Sequence, residues 1–281
     1  MTAATYNMTI IIQYEPDAMT DAAQTPPTPQ QAARIFVTPA RGKARISDVR
    51  PPGARAQTIP FGDDGTIAVW EWGKSDSPAV LLVHGWEGTH ADMDNFVAPL
   101  LAEGYRVAAF DLPAHGASSG KRAPIPLMAK AIRQVADTVG PLRGIIAHSI
   151  GCAVTVTSLT RGLSTERVVL ISSPSNYRKQ AKLIGKMVGI NEATWPAMEA
   201  ELNALGADLD AIDFPTAAKT LTIPALVMHS DDDQVVSMQD SRDATAHWRG
   251  ATFRLLSGLG HMRVLSDPDV IASSVAFIKG S

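Results

Sequence analysis

From residue 79 onward, short uninterrupted apolar runs alternate with stretches whose apolar positions recur at helical spacing. Ala79 to Val83 is the first such run. Tyr105 to Phe110, Gly144 to Ala147, Val168 to Ile171 and Ala225 to Met228 repeat it, and Thr252 to Leu256 is a further apolar strand. Runs without polar alternation suit strands buried on both faces of a parallel sheet. Between them, Met128, Ile132, Val135 and Val139 fall on one helix face. A last helix is predicted to start at Asp267-Pro268, where Asp267 caps and Pro268 fits the first turn, with Ile271, Val275 and Ile278 as its apolar stripe. Earlier, Thr58 to Phe61 and Thr66 to Trp72 flank Gly62-Asp63-Asp64-Gly65, which predicts a hairpin. Strands alternating with helices predict an α/β fold with a doubly wound, mostly parallel sheet and helices on both faces.

Two regions depart from the alternation. Residues 1–31 are rich in Pro, Thr, Gln and Ala towards their end and are expected to be poorly ordered, with Met8 and Met19 as other possible starts. A single domain is then expected over 32–281, with a short strand or helix near Arg34 to Val37. The second departure is the stretch 174–220, longer than a crossover helix needs. Helical spacing of Trp195, Met198, Leu202 and Leu205, and a second helix over Arg178 to Val188, predict a small lid there. An ordinary crossover with an extra helix is the alternative.

Composition narrows the class. The 281 residues are 45% hydrophobic, enough for a large core, and the net charge of −3 favours neither nucleic acid nor an anionic membrane surface. No apolar run reaches the roughly eighteen residues of a membrane span. Cys152 is the single cysteine, so no intramolecular disulfide forms and a reducing, cytoplasmic setting is expected.

The chemistry is concentrated at strand ends. Ile145-Ile146-Ala147-His148-Ser149-Ile150-Gly151-Cys152 carries a buried strand straight into a serine flanked by small residues, and then into a helix. Such a turn projects the serine oxygen beside a helix N-terminus; a serine merely capping a buried helix is the other reading. The segment resembles the nucleophile elbow, G-x-S-x-G, of the α/β-hydrolase family, with Ala147 in place of the first glycine. His84-Gly85-Trp86-Glu87-Gly88 is similar to that family's HG loop. The resemblance implies an oxyanion hole built from the backbone N–H groups of Trp86 and Ile150. Asp111-Leu112-Pro113-Ala114-His115-Gly116-Ala117-Ser118 resembles a structural loop of the family, with Ala114 replacing a glycine. His84 is read as structural and Glu87 as an exposed loop residue or a substrate contact.

The resemblance spans roughly residues 58–279 and implies a triad in the order Ser149, Asp233, His261. His229-Ser230-Asp231-Asp232-Asp233-Gln234-Val235-Val236 aligns with H-G-x-x-D-x-x-V, placing the acid at Asp233 with Asp231 as runner-up. Gly260-His261 follows the final strand and implies the base. These residues imply hydrolysis of a small carboxylic ester through an acyl-enzyme, with no cofactor and no metal. A thioester, a carbon–carbon bond or perhydrolysis would use the same triad, and a ligand receptor with little turnover is a further class. Cys152 is read as packed. Arg178, Lys179, Lys182 and Lys186 form a solvated face or attract a substrate carboxylate. Trp195, Met187 and Met198 line an apolar pocket or fill the lid core.

Overall fold

The computed structural model describes residues 26–41, 51–210 and 213–280. The first element is helix α1 (Pro29–Val37), and its sequence explains its start. Thr28 accepts from the Gln31 N–H, the Gln31 side chain answers from the other direction, and Pro29 opens the first turn. Helix α1 therefore starts inside the stretch 1–31, and residues 1–25 lie outside the described residues. Ala32, Ala33, Phe36 and Val37 form the buried face that fixes α1 to the rest of the chain.

The sheet has eight strands: β1 (Arg55–Pro60), β2 (Thr66–Trp72), β3 (Ala79–Val83), β4 (Arg106–Phe110), β5 (Leu142–His148), β6 (Val168–Ile171), β7 (Ala225–Ser230) and β8 (Ala251–Leu256). Their spatial order is β1-β2-β4-β3-β5-β6-β7-β8. β1 and β2 form the predicted hairpin, β2 runs antiparallel to β4, and the remaining neighbours are parallel. Within β3, Ala79, Leu81 and Val83 face one apolar layer while Val80 and Leu82 face the other, and β4, β5 and β6 alternate the same way. Both faces thus need cover. Helices α3 (Ile125–Val139) and α4 (Ile150–Thr160) cover one; α2 (Val97–Ala102) and a C-terminal helix, Pro268–Lys279, cover the other. The predicted stripe of Met128, Ile132, Val135 and Val139 is the buried face of α3.

Between β6 and β7 lie three further helices, α5 (Tyr177–Met187), α6 (Trp195–Ala204) and α7 (Phe214–Ala218). The chain then continues through α8 (Met238–Thr245) to the C-terminal helix, α9. Asp267 caps α9 by accepting from the N–H groups of Asp269 and Val270. Among the described residues no helix is long and apolar enough to cross a membrane.

Candidate active site

Ser149 stands at the joint between β5 and α4 with φ 52° and ψ −125°, a conformation that a side chain adopts only under strain. Its N–H donates to Ile171 O at 2.9 Å, so the neighbouring strand holds the turn shut. Ala147, where the resemblance expects glycine, is the penultimate residue of β5 with a fully buried side chain, so its methyl fits between Val83 and Leu170. Gly151 is different. A Cβ there would lie 2.5 Å from His84 O and 2.8 Å from Val83 O, so the start of α4 reaches its position against β3 only without a side chain. Cys152 is buried, with its Sγ directed at Ala147 O and Ile171 O, and burial pushes its thiol well above the ordinary range.

His261 comes from the loop after β8. Its Nε2 lies 3.0 Å from Ser149 Oγ, and its Nδ1–H donates to Asp233 Oδ2 at 2.8 Å. The consecutive aspartates after β7 divide sharply. Asp233 turns inward, its Oδ1 accepting from the N–H groups of Val235 and Val236 at 2.8 and 2.9 Å. Asp232 accepts from Gly260 N–H at 2.8 Å and so steadies the loop that carries His261. Asp231, the runner-up, accepts from the Ser257 hydroxyl at 2.8 Å on the exposed side and does not reach the imidazole. Burial, the largest influence on Asp233, pushes its carboxyl upward. Hydrogen bonds from His229, His261 and the Val236 N–H outweigh it, and the group is held well below the usual carboxylate range.

Two histidines not proposed from sequence as site residues enter here. His229, fully buried at the end of β7, brings Nε2 to 3.2 Å from Asp233 Oδ2 and 3.1 Å from Val236 O, so Asp233 is gripped from two sides. His148 donates from Nε2 to the backbone carbonyl of His261 at 2.9 Å. His229 is four residues before the acid and bonds within the same turn, whereas His148 immediately precedes the serine and bonds to a loop more than a hundred residues away, which leaves no local pattern.

The HG loop closes the other side. His84 donates from Nδ1 to Gly85 O at 2.7 Å and accepts the Leu112 N–H at Nε2, 3.0 Å away, so it ties β3 to the loop after β4. Burial lowers its pKa, which suits a neutral ring that accepts at one nitrogen. Asp111 takes the N–H groups of His90 and Ala117, and the Ser118 hydroxyl donates to Asp111 O. Ala114, in the place of a glycine, carries a positive φ of 64°. Trp86 and Ile150 both line the cavity at Ser149.

That cavity encloses about 320 Å³ and is walled by Trp86, Met128, Tyr177, Ile184, Val235 and Val236, among others, with Ser149 and His261 on its floor. Met198 is fully buried and Trp195 nearly so; both belong to the core around α6 and stand away from the cavity wall. Three of the four basic residues on α5 have partners away from the cavity. Arg178 pairs with Asp210 and Glu199, Lys179 with Asp240, and Lys182 lies over the Trp195 ring.

A model of the alpha/beta hydrolase family matches residues 80–274. The chain belongs to that family. Among curated relatives, it is 24% identical over 277 residues to a non-heme chloroperoxidase of Streptomyces lividans, a match covering 79% of this chain and 99% of the other. Among solved structures, a putative lipase of Acinetobacter baumannii superposes with a TM-score of 0.64 at 19% identity, over 93% of this chain and 98% of that one. Carboxylesterase CesB of Bacillus subtilis superposes with a TM-score of 0.63 at 17% identity, over 82% and 93% of the two chains. At these identities the superpositions speak for the hydrolase fold alone.

Proposed function

We propose that the protein is a serine hydrolase that cleaves a carboxylic ester through an acyl-enzyme on Ser149. The observation that carries this reading is the unbroken hydrogen-bonded relay from Ser149 Oγ through both ring nitrogens of His261 to Asp233 Oδ2, on the floor of an apolar cavity. A serine hydroxyl is a weak nucleophile at neutral pH and needs a base beside it, and the base needs an orienting carboxylate. In this reading His261 Nε2 takes the Oγ proton as Oγ attacks the acyl carbon. The imidazolium, stabilised by Asp233, returns that proton to the departing alkoxide, and the alcohol leaves. Water then gives a proton to His261 and attacks the acyl-enzyme; Oγ departs, recovers the proton, and the acid is released. The N–H groups of Trp86 and Ile150 receive the oxyanion, each contributing roughly 3 kcal/mol to the barrier reduction. The names of the similar structures, a carboxylesterase and a putative lipase, agree with ester hydrolysis.

One observation favours a second activity on the same acyl-enzyme. A relative whose match covers 79% of this chain is named a non-heme chloroperoxidase. Hydrogen peroxide in place of water at the second step would release a peracid and regenerate Ser149 by the same proton transfers. Turnover of p-nitrophenyl esters from acetate to octanoate tests the main reading. Ser149→Ala is expected to lower the rate by about a thousandfold or more with unchanged circular dichroism. A variant as fast as wild type would overturn the assignment. Peracid release from acetate and peroxide, measured on the same two proteins, decides the second.

A further inference from the structure

One wall of the cavity comes from a part of the chain that precedes the family match. Ile35, Phe36, Thr38, Pro39 and Ala40 line it, all preceding the matched segment 80–274. This wall is anchored along its length. Val37 O accepts the Ala123 N–H at 2.8 Å, Arg34 pairs with Glu201 on α6, and the Phe36 ring packs on Tyr177 with centroids 5.0 Å apart. The strap after α1 crosses to the HG loop, where the Ala40 N–H donates to Glu87 Oε1 at 3.1 Å. It ends on Arg41, whose guanidinium donates to the carbonyls of Gly116, Ser118 and Gly120 at 2.8 to 2.9 Å. A segment held at one end by α5, α6 and Ala123 and at the other by the loops near Ser149 presents a fixed surface to whatever lies on the serine.

The chemistry of the lining selects what that is. Ile35, Phe36, Met128, Tyr177 and Ile184 supply apolar surface, and Ile35 is a large hydrophobe left 38% exposed at the rim. The acidic side chains in the lining are Glu87 and Asp92, and no Lys or Arg stands among the lining residues described. Glu87 is committed to the strap and Asp92 to the Thr89 N–H. An anionic group entering here would lose its water and meet carboxylates, whereas an alkyl chain would gain apolar contact.

We propose that residues 35–40 form the specificity-determining wall of this site, and that the site takes neutral esters whose medium-length alkyl group packs between Ile35, Phe36 and Ile184. This rests on the serine-hydrolase reading for its kinetic arm and on the cavity alone for its binding arm. In the kinetic arm, kcat/KM is measured for p-nitrophenyl acetate, hexanoate and the p-nitrophenyl monoester of adipic acid. Wild type is expected to prefer hexanoate to the adipate monoester by about tenfold or more. Ile35→Trp fills the wall from an exposed helix position, and the hexanoate-to-acetate ratio should fall about tenfold; Phe36→Ala should raise the relative rate on longer chains. Ratios within about twofold of wild type for both variants, or equal use of the adipate monoester, would overturn the proposal.

In the binding arm, ethyl hexanoate is titrated calorimetrically into Ser149→Ala and into Ser149→Ala with Ile35→Trp. Binding to the first and about tenfold weaker binding to the second are expected. No binding, or equal binding, would sink the proposal even if esters are hydrolysed. If wild type hydrolyses no ester and resists a fluorophosphonate, the hydrolase reading falls by itself, and the calorimetry still decides the wall.

Discussion

At the scale of single residues, the grip on Asp233 is the feature with the most to test. Its carboxylate accepts from two backbone N–H groups and lies within hydrogen-bond distance of His261 and His229. A hydrogen bond to an ionised group is worth roughly 1.5–3 kcal/mol. Within the proposed mechanism His229 is a positioning residue. His229→Leu is expected to lower kcat by roughly 10- to 100-fold with KM little changed, because orientation of Asp233 matters once charge develops on the imidazole. His229→Gln, which retains a donor, should recover most of the loss. If the two variants behave alike, the contact is packing only.

At the scale of elements, the approach of α4 to β3 is set by one missing side chain. Gly151 leaves no room for a Cβ against His84 O and Val83 O, both backbone atoms that cannot rotate away. Gly151→Ala is expected to destabilise the fold by roughly 2–3 kcal/mol, read as a lowered urea midpoint at unchanged slope. A midpoint equal to wild type would mean that α4 slides at no cost. The stripe of α3 and the cap of α9 follow local rules, and both stand where their spacing predicts. Local spacing over Arg34 to Val37 does not separate strand from helix, because a nine-residue segment carries little periodicity. The complete N-terminal cap of α1 is the stronger signal. The stretch between β6 and β7 holds three helices: α5 lines the cavity, and α6 packs against α1 as core.

At the scale of the whole molecule, buried histidine couples the fold to pH. Burial lowers the pKa of His84, so the folded state resists a proton that the unfolded chain accepts near pH 6.5. Between the folded and unfolded pKa values the unfolded state carries more protons, and stability rises with pH there. The contribution is therefore present above about pH 6.5 and is lost as pH falls below it. Asp233 acts in a lower window. Its depressed carboxyl stabilises the fold above the unfolded carboxylate value of about 3.9, and that contribution fades as pH falls further. Urea unfolding from pH 8 to pH 4 should show the first decline near pH 6, and His84→Gln should flatten it. An unchanged slope in the variant would remove His84 as the cause.

What the sequence determined by itself was whatever short-range geometry encodes. Uninterrupted apolar runs specify strands buried on both faces, and their alternation with helical stripes specifies the doubly wound sheet. A serine between small residues at a strand end specifies the strained turn. Those patterns need only neighbours in the chain. The resemblance favours Asp233 over Asp231, and the tertiary structure shows Asp233 turned inward, its carboxylate taking the Val235 N–H, while Asp231 takes the Ser257 hydroxyl on the exposed side. The tertiary structure alone decided that His229 and His148 brace the site and that residues 35–40 wall the cavity. Apart from the short-range His229–Asp233 contact, these join segments tens to more than a hundred positions apart, as between Ala40 and Glu87 or His148 and His261. They are set by how packed layers bring loops together, a property of the assembled sheet that no local spacing records.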